Sequence, residues 1–142
     1  MSWIVKTKVL VPIDFSEYSL RAMETARELV EDPKQLHVLH VLLPMSVMEP
    51  GAVWNELDDE KRAENIRKHL RKELGEETYN AVNVDVLIGY APKVIVRHAK
   101  ELKAGLILMH ARGADGGHHF FMGSVTERVV RHSECSVLVL RD

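Results

Sequence analysis

The stretch Gly105-Leu-Ile-Leu-Met-His110-Ala-Arg-Gly113-Ala-Asp-Gly-Gly-His-His-Phe-Phe-Met-Gly123-Ser124-Val-Thr-Glu-Arg-Val-Val130 reads as strand, glycine-rich loop and helix, in that order. The apolar run Leu106 to Met109 stops at a loop holding Gly113, Gly116 and Gly117, and Gly123-Ser124 then opens an amphipathic segment from Ser124 to Arg131. That order presents backbone N–H groups and the positive end of a helix to an anion. Placed late in a short chain, it points to nucleotide or anion binding.

The same alternation extends to both ends. Val9 to Ile13 is a short apolar, β-branched run closed by Asp14, which predicts a first strand. Ser16 suits an N-cap, and Ala22, Met23, Ala26, Leu29 and Val30 recur at helical spacing until Asp32-Pro33. Leu36 to Leu43 is a second apolar run, interrupted only by His37 and His40; continuous runs of this kind suit strands covered on both faces. Residues 44–56, with two prolines and a glycine, read as a loop or lid. Residues 57–76 predict one helix, acidic at its start (Asp58, Asp59, Glu60) and basic towards its end (Arg67, Lys68, Arg71, Lys72), with Ala63, Ile66, Leu70 and Leu74 on its apolar stripe. Its charges read as a solvated face. Val82 to Ile88 predicts a third strand closed by Gly89, and Ala91-Pro92 opens a helix whose buried stripe is Val94, Ile95, His98, Ala99 and Leu102. Val137 to Leu140 is a fifth strand.

Strands alternating with helices over short connections predict an α/β fold. The expectation is an open five-stranded parallel sheet, Rossmann-like, in the order 3-2-1-4-5, with helices on both faces. No composition break divides residues 1–142, so one domain is expected. In such a sheet ligands gather beyond the carboxyl ends of the strands where the winding reverses, between strands one and four. Asp14 leaves one of those strands and the His110–Gly123 loop leaves the other. Asp14 would suit a ribose or adenine hydrogen bond, or else serve as a turn acid ahead of the first long helix. The Gly113 and Gly123-Ser124 amides would suit phosphates, and Arg112 is either a phosphate contact or a solvent-facing loop cation.

Several alternatives are excluded by what is missing. No Gly-x-Gly-x-x-Gly follows the first strand and no P-loop lysine motif occurs. The third strand ends in Leu87-Ile88-Gly89, without the aspartate a receiver domain needs. Net charge of −2 with no basic run gives no case for nucleic acid or an anionic membrane. No apolar run approaches the roughly 18 residues of a membrane span, and with a strand-like segment directly after Met1 to Lys6 the expectation is a chain without a signal peptide. The single Cys135, read as a half-buried structural residue, fits a reducing compartment and a cytoplasmic protein. His110, His118, His119 and His132 read as solvated histidines rather than as metal ligands, for want of supporting Cys or carboxylate spacing.

The chain resembles the universal stress protein family over essentially its whole length. The residues that carry the resemblance are Val11-Pro12-Ile13-Asp14, then Ser16, Ser19 and Ala22, then His40-Val41 and Gly89. Above all it rests on Gly113, nine residues and Gly123-Ser124, continued by Val-Thr-Glu-Arg-Val. In ATP-binding members that last run wraps the phosphates. Two departures stand out: the family motif's first glycine is His110 here, and the aspartate usual before strand four is Gly105.

The resemblance implies a site for ATP or a related adenine nucleotide, with or without Mg2+. Its residues would be Pro12, Ile13, Asp14, Val41, Met109, His110, Arg112, Gly113, Gly123, Ser124, Val125 and Thr126. It also implies a homodimer through Val137, Leu138, Val139 and Leu140, and a binding and regulatory role in the stress response rather than an enzyme. Two alternatives stay open. In one, His110 closes the pocket and leaves a nucleotide-free dimeric interaction protein; in the other, the protein is a weak ATPase.

Overall fold

The computed structural model describes residues 2–44, 56–112 and 122–141. The apolar runs become five strands: β1 Val9–Pro12, β2 Leu36–Leu42, β3 Asn83–Ile88, β4 Leu106–His110 and β5 Ser136–Leu140. All neighbouring pairs are parallel, and the order is β3-β2-β1-β4-β5. The helices are α1 Ser2–Lys6, α2 Glu17–Leu29, α3 Glu56–Leu74, α4 Glu76–Ala81, α5 Ala91–Leu102 and α6 Ser124–His132.

Strand side chains alternate between two cores, which places helices on both faces. Val9, Val11, Leu106 and Leu108 join Ala22, Met23 and Ala26 of α2 and Ala63 and Leu70 of α3. Leu10, Leu39, Ile107 and Met109 join Val94, Ile95 and Ala99 of α5 and Val129 of α6. Ser16 caps α2 as expected, its hydroxyl accepting from the Ser19 N–H at 3.1 Å.

Most element boundaries differ from the sequence reading by a single residue, and three differences have a physical reason. The helix expected over 57–76 ends at Leu74, because Gly75 turns to φ +85°, and a separate short helix, α4, follows. A glycine with positive φ is a common helix terminator. The N-terminal segment forms α1, five residues too short to show a period. It is tied down by Gln35, whose Nε2 donates to the Val5 and Thr7 carbonyls at 2.9 and 2.6 Å. β4 runs one residue further than the apolar run suggested, through His110. The loop or lid expected over 44–56 lies almost wholly outside the described residues. No described helix is long and apolar enough to cross a membrane.

Candidate functional site

The reversal of winding lies between β1 and β4, and a cavity of about 290 Å³ opens there. Among the predicted site residues, Pro12, Ile13, Asp14, Val41, Met109, His110, Arg112, Gly123, Ser124, Val125 and Thr126 all line it. Gly113 lies outside the described residues. The sequence reading did not assign Ser19, Leu39, His40, Ala91 and Ile95 to the site, and they complete the wall. In the sequence Ser19 and His40 carry only the family resemblance, and Ala91 and Ile95 carry only a helix start and its buried stripe. Their second role follows from α5 starting just beyond the strand ends.

The walls are mostly apolar, which makes the polar exceptions informative. Ser19, His110 and Thr126 are the buried polar or charged residues among those described, and all three line this cavity. Each is satisfied by backbone, as burial requires. The Thr126 hydroxyl donates to the His110 carbonyl at 2.9 Å, fastening the first turn of α6 to the end of β4. The Ser19 hydroxyl donates to the Ser16 carbonyl at 3.0 Å and accepts from the Asp14 N–H at 3.3 Å.

Asp14 follows β1 and its Oδ1 accepts from the Ser16 N–H at 2.9 Å. It does the work of a turn acid, yet its side chain remains exposed at the cavity rim. Phe15, next in the chain, takes φ +64°. A bulky side chain in the left-handed region is strained, and such strain collects at functional turns. The Phe15 ring is held between His40 at 4.8 Å and His69 at 4.4 Å.

His40 sits on the far wall. Its Nδ1–H donates to the Ile13 carbonyl at 2.6 Å, locking the end of β2 to the end of β1. Burial holds its pKa below the ordinary imidazole range and the His69 charge pushes the same way, while the Ile13 carbonyl and Asp14 pull it back up. The neutral ring with its proton on Nδ1 is therefore favoured at neutral pH.

His110 is not the solvated loop residue that the sequence suggested. It is 5% exposed, and its ring packs on the Tyr18 ring of α2, centroids 4.8 Å apart. Its Nδ1 accepts from the Arg112 N–H at 3.2 Å. Arg112 also bends inward: its Nη1 donates to the Tyr18 hydroxyl at 3.0 Å, with the guanidinium 5.0 Å over that ring. Of the other histidines weighed, His132 is exposed in the last turn of α6, and His118 and His119 lie outside the described residues. Cys135 is half-buried, as expected.

The opening of α6 completes the cavity. Gly123 is its N-cap and supplies no side-chain cap. The Gly123 N–H is already used, donating to the Ala111 carbonyl at 2.7 Å, and the first helical bond runs from Glu127 to Gly123 at 3.0 Å. The amides of Ser124, Val125 and Thr126 are left at the helix start, where the macrodipole is positive. Anion attraction therefore belongs to those three amides rather than to Gly123 itself.

A five-stranded parallel sheet with an apolar cavity and a helix N-terminus at its switch point defines a Rossmann-like α/β protein. The universal stress protein family model matches residues 6–141, and the chain belongs to that family. It is similar to the universal stress protein MJ0531 of Methanocaldococcus jannaschii, 29% identical over 140 residues, which cover 94% of this chain and 81% of that one. The solved structure of MJ0577 from the same archaeon matches at 26% identity with a TM-score of 0.76, covering 98% of each chain. A universal stress protein solved in complex with cAMP matches at 21% identity with a TM-score of 0.62, covering 94% of each chain, and shares the fold.

Proposed function

We propose that this protein is a stress-response module that binds ATP or a related adenine nucleotide in the cavity between β1 and β4. The observation that carries the reading is the meeting of an apolar cavity with the uncapped start of α6 at the switch point of the sheet. The apolar wall suits a base, Asp14 at the rim suits ribose hydroxyls, and the Ser124, Val125 and Thr126 amides suit phosphate oxygens. Asp14 is the one carboxylate on the cavity among the described residues. A magnesium ion would therefore enter with the phosphates rather than on a protein cage. One family member with this fold was solved with cAMP, itself an adenine nucleotide; the reading for this chain rests on its own residues.

The competing idea, a pocket closed by His110, is disfavoured by where that side chain goes. Its ring lies on Tyr18, against α2, and a cavity of about 290 Å³ remains beside it. The dimer belongs to the same proposal. β5 is the sheet edge and leaves Leu138 37% exposed; a bare apolar edge is normally paired or covered, and antiparallel pairing of Val137, Leu138, Val139 and Leu140 with a second copy would do so. A lone cysteine is in keeping with a cytoplasmic protein.

Mass spectrometry of the purified protein under mild conditions, followed by thermal unfolding with and without ATP, tests the proposal. Co-purifying adenine nucleotide, or a rise in melting temperature that saturates with ATP, is the expected outcome. Gly123→Val should remove that response while leaving the fold intact. Among the described residues a Cβ there meets the Ala111 carbonyl, at 3.4 Å, but the branched side chain crowds the helix start. Neither nucleotide nor shift in the parent protein, or an unchanged shift in the variant, would sink the site assignment.

A further inference from the structure

A second concave surface lies between α5 and α6, with a volume of about 630 Å³. Its floor is apolar: Pro92 is buried, Val96 half-buried, and the Tyr90 ring is 45% exposed. Its rims are cationic. Lys93, Arg97 and Lys100 stand on α5 and Arg128 on α6, with the His132 imidazole beside it, against the single carboxylate of Glu134. The chain as a whole has 19 Lys and Arg against 21 Asp and Glu, so this groove departs sharply from its composition.

The cations are poorly neutralised. Arg97 meets Glu101 at 3.8 Å and Lys100 meets Glu134 at 3.4 Å, with all four side chains well exposed. Exposed pairs of this kind are worth little and yield easily to an incoming carboxylate. Neither Lys93 nor Arg128 forms an ion pair with a described residue. The Arg128 guanidinium instead lies 5.6 Å over the Tyr90 ring, which places a cation and an aromatic face together at the groove mouth.

We propose that this groove docks an acidic amphipathic segment of a partner protein. Lys93, Arg97 and Lys100 follow i, i+4, i+7 spacing, a row about 10 Å long at 1.5 Å per residue. That length matches two turns of a bound helix. Apolar side chains would rest on Tyr90 and Val96, with carboxylates reaching Lys93, Arg97 and Lys100 on one rim and Arg128 and His132 on the other. A nucleic acid would place phosphates over a longer track than this row spans, and its backbone would gain nothing from the apolar floor.

Fluorescence anisotropy on the full-length protein tests the proposal, in about 0.15 M salt so that long-range attraction is screened. The probe is a labelled helix of about 14 residues carrying Leu and Glu at helical spacing. Its companions are the same peptide with Gln for every Glu, and single- and double-stranded oligonucleotides. Saturable binding of the Glu peptide is expected, weaker by about 10-fold or more for the Gln peptide and for the Lys93→Glu/Arg128→Glu double variant. An Arg97→Glu/Lys100→Glu variant, which keeps Arg128 on Tyr90, should lose affinity as well, and circular dichroism establishes that each variant is folded. No saturable binding of the Glu peptide overturns the proposal, as does equal affinity for the Gln peptide. So does folded variants binding like the parent, or tighter binding of either oligonucleotide.

Discussion

Replacing Thr126 by Val isolates the contact that fastens α6 to the sheet. The two side chains have nearly the same shape, so no cavity opens, and what is lost is the hydroxyl that donates to the His110 carbonyl at 2.9 Å. Thr126 is 4% exposed, so water cannot readily replace the missing donor. A hydrogen bond of this sort contributes about 1 kcal/mol net, and leaving a buried acceptor without its donor raises the cost to about 1–3 kcal/mol. For a chain of 142 residues that is a fall in melting temperature of roughly 3–10 °C. Thr126→Ser is the control: it keeps the donor and loses one methyl group, worth about 1 kcal/mol or less. Urea unfolding in nucleotide-free buffer should therefore rank parent, Ser and Val in descending stability. If the Val variant matches or exceeds the Ser variant, the hydroxyl is not what holds the helix to the strand, and the account of the buried polar trio fails with it.

Restoring the family's aspartate at Gly105 should destabilise the protein by about 1–3 kcal/mol, because a Cβ there meets the Thr7 Cβ at 3.0 Å and its Cγ2 at 3.2 Å; in denaturant unfolding, Gly105→Ala should be partly rescued by Thr7→Gly, and simple additivity would speak against the clash. Burial lowers the pKa of both His37 and His40, with Lys8 and His98 adding to the shift at His37 and Asp85 opposing it. Below about pH 6.5 the unfolded chain takes up protons that the folded protein refuses, so stability should be full above that pH and decline on acidification. Unfolding free energy followed from pH 7.5 to about 5 checks this, and an unchanged slope in the His37→Gln/His40→Gln double variant would contradict it. Val139→Lys should weaken the proposed dimer by setting like charges near one another across the two-fold axis, read by sedimentation at micromolar concentration; a monomeric parent or an unaffected variant defeats the dimer proposal.

The elements that the sequence disclosed are those with a period or a continuous run. β1, β2 and β4 are largely apolar on both faces and bounded by Asp14, Pro44 and the glycine-rich loop, so their places were legible; the 3-2-1-4-5 order, which the runs alone do not fix, is the one the sheet adopts. The site followed from topology, since Asp14 and Gly123 are distant in the chain and meet only because β1 and β4 are neighbours. What escaped were features with no periodic signature. α1 is five residues long, and the break at Gly75 depends on one backbone angle that the charge pattern running through it conceals. The hold of Gln35 on the Val5 and Thr7 carbonyls is a long-range contact that no local pattern encodes.

His110 shows how one residue of strand length can decide a functional reading. If β4 ended at Met109, His110 would be the first residue of the loop, where the family motif's glycine lets backbone approach a ligand. The ladder instead continues, with His110 in register with Leu140. Strand side chains alternate, so His110 takes the face of Leu106 and Leu108, towards α2, while Met109 takes the face of α5 and α6. Tyr18 meets the ring on that side, and the chain turns at Ala111, whose N–H donates to the Leu140 carbonyl at 2.8 Å. Strand parity therefore turns the imidazole towards Tyr18 on α2, and the cavity stays open beside it. The departure from glycine leaves a cavity of about 290 Å³ because the imidazole, although on the cavity wall, packs its ring against Tyr18. On this argument His110→Gly would be a packing mutation before it is a binding mutation: it would unstack Tyr18 and take away the ring nitrogen that accepts from the Arg112 N–H.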